Sequence, residues 1–241
     1  MAGGLNLTVL GCSGSYPGPG QACSGYLVAS GHTRIWLDAG SGTLANLQTH
    51  VGLGDLDAIV LSHEHPDHWS DVEGFAVASH YIHHLPPVPL LAPTGLRRHL
   101  QTPGDAFLWQ EVGDGSQVEV GDVRLSFSRT DHGPVTLAVR VDGGGRSLGY
   151  SADTGPGWSL TALGPGLDLA LCEATYLEDQ EGGARHMSAR QAGATARDAE
   201  VGRLVITHLL PTVDPRAAGV EAGRSFGGPV EVARTGLELE I

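Results

Sequence analysis

Four of the nine short apolar runs in this chain lead directly into a side chain that can bind a metal, and this restricts the fold more than any other feature. The runs are LNLTVLG (5–11), SGYLVAS (24–30), RIWLDAG (34–40), DAIVLS (57–62), VRLSFS (123–128), TLAVRV (136–141), RSLGYSAD (146–153), LDLALCEA (167–174) and RLVITH (203–208). Their length and β-branched content predict strands. DAIVLS opens into HEHPDH, VRLSFS is followed by His132, RSLGYSAD ends on Asp153 and RLVITH ends on His208. If these residues meet, the four strand ends must share one edge of the molecule. Helical patterns lie between the runs at 43–50, 71–84 and 188–201, and in the last of these Ser188 is suited to the N-cap. Many strands with helices inserted mainly early and late predict two sheets packed face to face with helices outside, an α/β sandwich. No repeat or long polar linker divides the chain, so residues 1–241 are expected to form a single domain.

Composition narrows the partners. The formal net charge is −13, and all 14 basic residues are arginine. Such a surface repels phosphate backbones and argues against a nucleic-acid partner. No apolar run approaches the ~18 residues of a transmembrane helix, and the start of the chain reads as a strand, not a signal peptide. Cys12, Cys23 and Cys172 form neither a disulfide framework nor a zinc ribbon, which points to a reducing cytoplasm.

The segment SHEHPDH (62–68) sets four potential ligands in six positions after a strand of buried type. His63 and His65 can converge on one ion, and Asp67 and His68, beyond the bend at Pro66, on a second about 3.5–4 Å away. Neither set is complete by itself. His132 would complete the first and His208 the second, with Asp153 bridging the two. Five histidines and two aspartates without a thiolate suit Zn²⁺, while Mn²⁺ and Fe²⁺ also accept nitrogen and oxygen ligands. A Gly-rich fingerprint for a dinucleotide is absent, because Gly11, Gly14, Gly18 and Gly20 do not spell GxGxxG. That loop, with Ser13, Ser15 and Tyr16, can still approach a substrate.

The HxHxDH string resembles the signature of the metallo-β-lactamase superfamily. Other segments are similar to its ribonuclease Z-like phosphodiesterase branch: YSADTGP (150–156), CEATY (172–176) with Cys172 where the branch's HEAT motif has histidine, HMSARQAG (186–193) and ITHL (206–209). GCSGSYPGPGQACSGYLV (11–28) resembles the atypical cyclic-nucleotide phosphodiesterases of actinobacteria. The resemblance runs from about residue 5 to about residue 235 and implies a four-layer αββα sandwich with a dinuclear metal site. It also implies hydrolysis of a phosphodiester by a water that two divalent cations deprotonate near neutral pH. His186 would then protonate the leaving oxygen, and Glu173 would orient His186 or take a fuller part in catalysis. Asp67 has two roles open to it, metal ligand and holder of the nucleophile's proton.

Ribonuclease Z carries an arm for tRNA between its third metal histidine and its bridging aspartate. Here the interval 132–153 is short, and RVDGGGRSLGY within it reads as a tight hairpin. A small phosphodiester, foremost a 3′,5′-cyclic nucleotide such as cAMP, is therefore the expected substrate. Cleavage of tRNA precursors is the alternative, followed by lactonase or thioesterase chemistry. YIHHLPPVPLL (81–91) is apolar enough to join either a homodimer interface or the core. His80, His83 and His84 read as a half-exposed helix end, and His32, His50 and His99 belong to no evident constellation.

Overall fold

In a computed structural model, which describes residues 4–101 and 105–241, all nine runs become strands. The first half of the chain forms β1 (Leu5–Gly11), β2 (Gly25–Ser30), β3 (Thr33–Ala39), α1 (Thr43–Leu47), β4 (Ala58–Val60), α2 (Asp71–Ala76), β5 (Val88–Ala92) and β6 (Phe107–Glu111). The second half forms β7 (Gln117–Val120), β8 (Val123–Arg129), β9 (Leu137–Gly143), β10 (Arg146–Tyr150), β11 (Leu169–Glu173), α3 (Ala189–Asp198), β12 (Arg203–Thr207), α4 (Pro215–Phe226), β13 (Val230–Val232) and β14 (Glu238–Glu240). Two seven-stranded sheets result, ordered β14-β1-β2-β3-β4-β5-β6 and β13-β12-β11-β10-β9-β8-β7.

Side-chain alternation explains how they stack. Leu5, Leu7 and Val9 of β1 and Val123, Leu125 and Phe127 of β8 enter one buried cluster shared by both sheets. The intervening Arg124 on β8 is exposed. Strand β11 is buried on both faces, as its unbroken LALC predicts. Leu169 and Leu171 point between the sheets, and Ala170 and Cys172 pack toward α3 and α4. A third cluster, with Trp36, Phe75 and Phe107, lies between the first sheet and the helices outside it. The layers are helix, sheet, sheet and helix, the metallo-β-lactamase fold. Truncating one of the central leucines, such as Leu148, to alanine would cost about 2–5 kcal/mol.

Helix α3 starts where Ser188 predicts: Ser188 Oγ accepts the Gln191 N–H, and the Gln191 side chain returns to the Ser188 N–H. The pattern expected over 71–84 is α-helical only to Ala76 and continues as a π-helix over Val77–Ile82. The segment 81–91 divides. Tyr81 and Ile82 are exposed, whereas Leu90 and Leu91 belong to β5 and are buried. Strands β9 and β10 meet at a two-residue turn whose Gly144 and Gly145 both have positive φ (58° and 78°), the type that matches strand twist. The hairpin is as short as expected, with no room for an arm. Among the described residues, no helix is long and apolar enough to cross a membrane.

Candidate metal centre

The parallel strands bring their C-terminal ends to one edge, where open α/β sheets bind ligands. From the first sheet, the loop after β4 carries His63, His65, Asp67 and His68, the last two on a 3₁₀ turn begun by Pro66. From the second sheet come His132 after β8, Asp153 after β10, Glu173 at the end of β11 and His208 after β12. Three strand ends carry a non-glycine residue at positive φ: Asp38 (55°), Ala152 (50°) and His208 (59°). Such backbone is costly and clusters at functional sites. Gly40 allows the loops to close together, because a Cβ there would lie 2.0 Å from the Asp67 carbonyl oxygen.

His63, His65, His132 and Asp153 offer ligand atoms that all lie within 4.8 Å of one another, and so do Asp67, His68 and His208. Ligand atoms about 2.1 Å from a common tetrahedral centre are about 3.4 Å apart. Around the first group His65 Nδ1 and His132 Nε2 are 3.2 Å apart, and His63 Nε2 is 3.5 Å from Asp153 Oδ2. Around the second, Asp67 Oδ2 is 3.3 Å from His208 Nε2 and 3.5 Å from His68 Nε2. Asp153 Oδ1 lies 3.2 Å from His68 Nε2 and 3.4 Å from His208 Nε2, so its carboxylate faces both groups.

The opposite edges of the imidazoles settle which nitrogen faces inward. His68 Nδ1 donates to Asp38 Oδ2 (2.8 Å), and His63 Nδ1 donates to Ser62 Oγ (3.0 Å), itself a donor to Asp38. His132 Nδ1 donates to the Arg185 carbonyl (3.0 Å), and His208 Nδ1 donates to Thr175 Oγ1 (2.9 Å). Each ring thus keeps its Nε2 lone pair for the cluster. His63 Nε2, His68 Nε2 and Asp153 Oδ1 are buried without a hydrogen-bond partner. Acceptors facing acceptors in a buried space are unfavourable unless a cation lies between them. The donor set therefore fits divalent cations, and these clusters could hold metal ions.

Electrostatics reinforce the arrangement. Burial opposes charge on Asp153, but His208, His68 and His63 hold its pKa well below the usual carboxylate range. Burial opposes charge on Asp67 too, and His68 and His208 outweigh it. Burial and the neighbouring His68 push His63 well down. His68 moves up, because Asp153, Asp67 and Asp38 outweigh its burial, so a proton on its Nε2 competes with a cation for that position.

His186 lies beside this cluster, its ring stacked on that of His208 with centroids 5.4 Å apart. Its Nδ1 donates to Glu173 Oε1 at 2.9 Å, and among the described residues Nε2 makes no side-chain hydrogen bond. Burial works against a charged ring, yet the hydrogen bond and charge of Glu173 raise the pKa to about 9. Glu173 is itself buried and accepts from the Thr154 and Met187 N–H groups and from Thr175 Oγ1. Ser15 of the Gly-rich loop donates its N–H to Asp67 Oδ2 (2.9 Å).

Sequence reasoning overlooked several supporting residues. Asp38 is fully buried and accepts from Ser62 N–H, Ser62 Oγ, His68 Nδ1 and Tyr150 Oη. An acid at the end of the apolar run RIWLDAG was its signal, the same one that marks Asp153. His99, expected to stand apart, stacks on Trp69 and lies 3.2 Å from Glu64 Oε2, within the metal-type loop. Arg98 holds the same Glu64 carboxylate at 2.8–2.9 Å. The three cysteines are free, and Cys172 is a core residue.

Residues 33–209 match the profile of the Beta-lactamase superfamily domain. The chain belongs to that superfamily. The Bacillus subtilis protein named Probable metallo-hydrolase YhfI is 30% identical and covers 98% of this chain and 100% of its own. The crystal structure of YhfI superposes with a TM-score of 0.92, covering 99% and 100% of the two chains at 29% identity. Ribonuclease Z of Mycobacterium bovis is 28% identical over 98% of each chain. A diphosphatase of the PhnP family shares the fold, with a TM-score of 0.76, 19% identity and 98% coverage of each chain. This superfamily member is a metal-dependent hydrolase.

Proposed function

We propose that this hydrolase cleaves a small phosphodiester, foremost a 3′,5′-cyclic nucleotide such as cAMP. The observation that carries the reading is the His186–Glu173 pair set against the histidine cluster. Such a charged imidazole can protonate the oxygen that leaves phosphorus. In this reading His63, His65 and His132 would hold one ion and Asp67, His68 and His208 a second, with the Asp153 carboxylate facing both groups. The nitrogen and oxygen donors suit Zn²⁺, with Mn²⁺ or Fe²⁺ accepted. Two such cations supply charge neutralisation for the phosphoryl oxygens and a lowered pKa for water.

The chain's own side chains do the rest. A water oxygen bonds to phosphorus and releases a proton toward Asp67, the P–O3′ bond breaks, and the departing O3′ takes the proton from His186. Glu173 fixes the ring through Nδ1 and favours its charged form. Asp67, held by the Ser15 N–H, stands where it can accept a hydrogen bond from the attacking water as well as bind metal. Residues 1–241 are read as one domain, and the three free thiols support a cytoplasmic setting.

The short β9–β10 hairpin and the net charge of −13 favour a small substrate over RNA. The relationship to ribonuclease Z favours a second reading, tRNA 3′ processing. Protein loaded with Zn²⁺ or Mn²⁺ and given cAMP should release 5′-AMP, resolved by chromatography, and lose that activity in EDTA. Absence of turnover with metal bound would overturn the cyclic-nucleotide reading, and cleavage of precursor tRNA by the same sample would establish the second.

A further inference from the structure

The Gly-rich loop reaches two places. At Ser15 it touches Asp67, while Cys12, Gly20 and Gln21 form one wall of a separate cavity of about 750 Å³. No residue of the histidine cluster lines this cavity. Its opposite wall comes from the first turns of α4 and from the chain leaving β13. Pro215, Val220, Val232 and Ala233 make that wall largely apolar. A smaller cavity of about 120 Å³ shares Cys12, Gln21, Pro215 and Ala233 with it and ends at Thr207 and Leu209, the neighbours of His208.

Two arginines flank the apolar lining, Arg216 and Arg234, both exposed. Five of the fourteen arginines, Arg98, Arg140, Arg146, Arg190 and Arg197, each meet a carboxylate at 2.8–2.9 Å. Among the described residues, neither Arg216 nor Arg234 makes an ion pair or a side-chain hydrogen bond. Asp214, beside Arg216, is occupied in capping α4, where its Oδ1 accepts the Arg216 N–H at 3.0 Å. Two unpaired guanidiniums thus border one apolar hollow in a chain of net charge −13. The volume falls within the ~300–1,000 Å³ of small-molecule sites. A bare inorganic anion would leave the apolar wall uncovered, and a neutral hydrophobe would leave both guanidiniums unused.

We propose that this cavity is a second ligand site, distinct from the histidine cluster, for a small organic anion with an apolar body. The inference is independent of the phosphodiesterase reading. Its test is calorimetric titration of metal-loaded protein with 2-naphthalenesulfonate, which has an apolar body and a single anionic group. One saturable site is expected. The double variant Arg216→Ala/Arg234→Ala, which alters only exposed and unpaired side chains, should bind at least about tenfold more weakly. His63→Ala, which removes a cluster residue without touching the loop, should bind as wild type does. No saturable binding to wild type would overturn the proposal. So would undiminished affinity in the double variant, or loss of binding in His63→Ala with retention in the double variant, which would place the anion at the cluster.

Discussion

The two halves of the molecule share one plan and use it differently. In the first sheet an antiparallel meander, β1-β2-β3, continues into the parallel strands β4, β5 and β6; in the second, β8-β9-β10 continues into β11, β12 and β13. Each sheet adds an antiparallel strand beside its first meander strand, β14 or β7. The last meander strand leads into a buried aspartate in both cases, Asp38 at β3 and Asp153 after β10. Asp38 is enclosed by four hydrogen bonds, whereas Asp153 turns an unpartnered oxygen into the cluster. Equivalent strand ends have become a support in one half and an open ligand position in the other. The first half gathers its remaining cluster residues in a single loop, while the second places one at each of several strand ends.

Removing Asp153 should have the largest effect, since its carboxylate alone faces both groups. Asp153→Ala is expected to abolish phosphodiester hydrolysis and to lower bound metal, measured by mass spectrometry, toward zero. Two tightly held ions in that variant would break the contrast between open and enclosed aspartates. His186→Ala comes next: kcat should fall about 10²–10⁴-fold with metal content preserved. Loss of metal instead would make His186 a ligand, as its proximity to Asp153 and His208 permits.

Asp38→Asn should act indirectly. Weakened support of His68 and Ser62 should lower metal affinity about 10–100-fold, read by competition with a chelator, and an imperfectly satisfied buried group should lower unfolding stability by about 1–3 kcal/mol. Affinity equal to wild type would show that the two aspartates differ less than their hydrogen bonds suggest. The smallest effect belongs to Ser188→Ala. Loss of the α3 cap should cost about 1 kcal/mol in denaturant unfolding, while kcat stays within about twofold, because the Ser188 side chain bonds Gln191 N–H and Glu181 and not His186. A large fall in kcat there would mean that the helix start itself positions the imidazole.

Much of this was legible in the chain. SHEHPDH announces its chemistry because local spacing alone brings its residues together. The strands around the core were visible where apolar runs are continuous. Edge elements were harder to see. QVEV of β7 is half-exposed and short, and β13 and β14 are three residues each, so no hydrophobic run marks them. Helix α4 carries ordinary end signals, with Asp214 as N-cap, Pro215 at its first turn and Gly227 in the left-handed region at its end. Gly219 and Gly223 in its interior masked the helical propensity.

The sequence by itself determined the strand pattern, the loop with its four ligand-type residues and the chemical class of the centre, because these depend on neighbours within a few positions. Tertiary structure alone decided that His132, Asp153 and His208 complete two groups, that Glu173 reaches His186, and that Asp38 supports His68. Those contacts join residues more than ten positions apart, and only sheet register and the turning of three strand ends at positive φ bring the side chains to one edge.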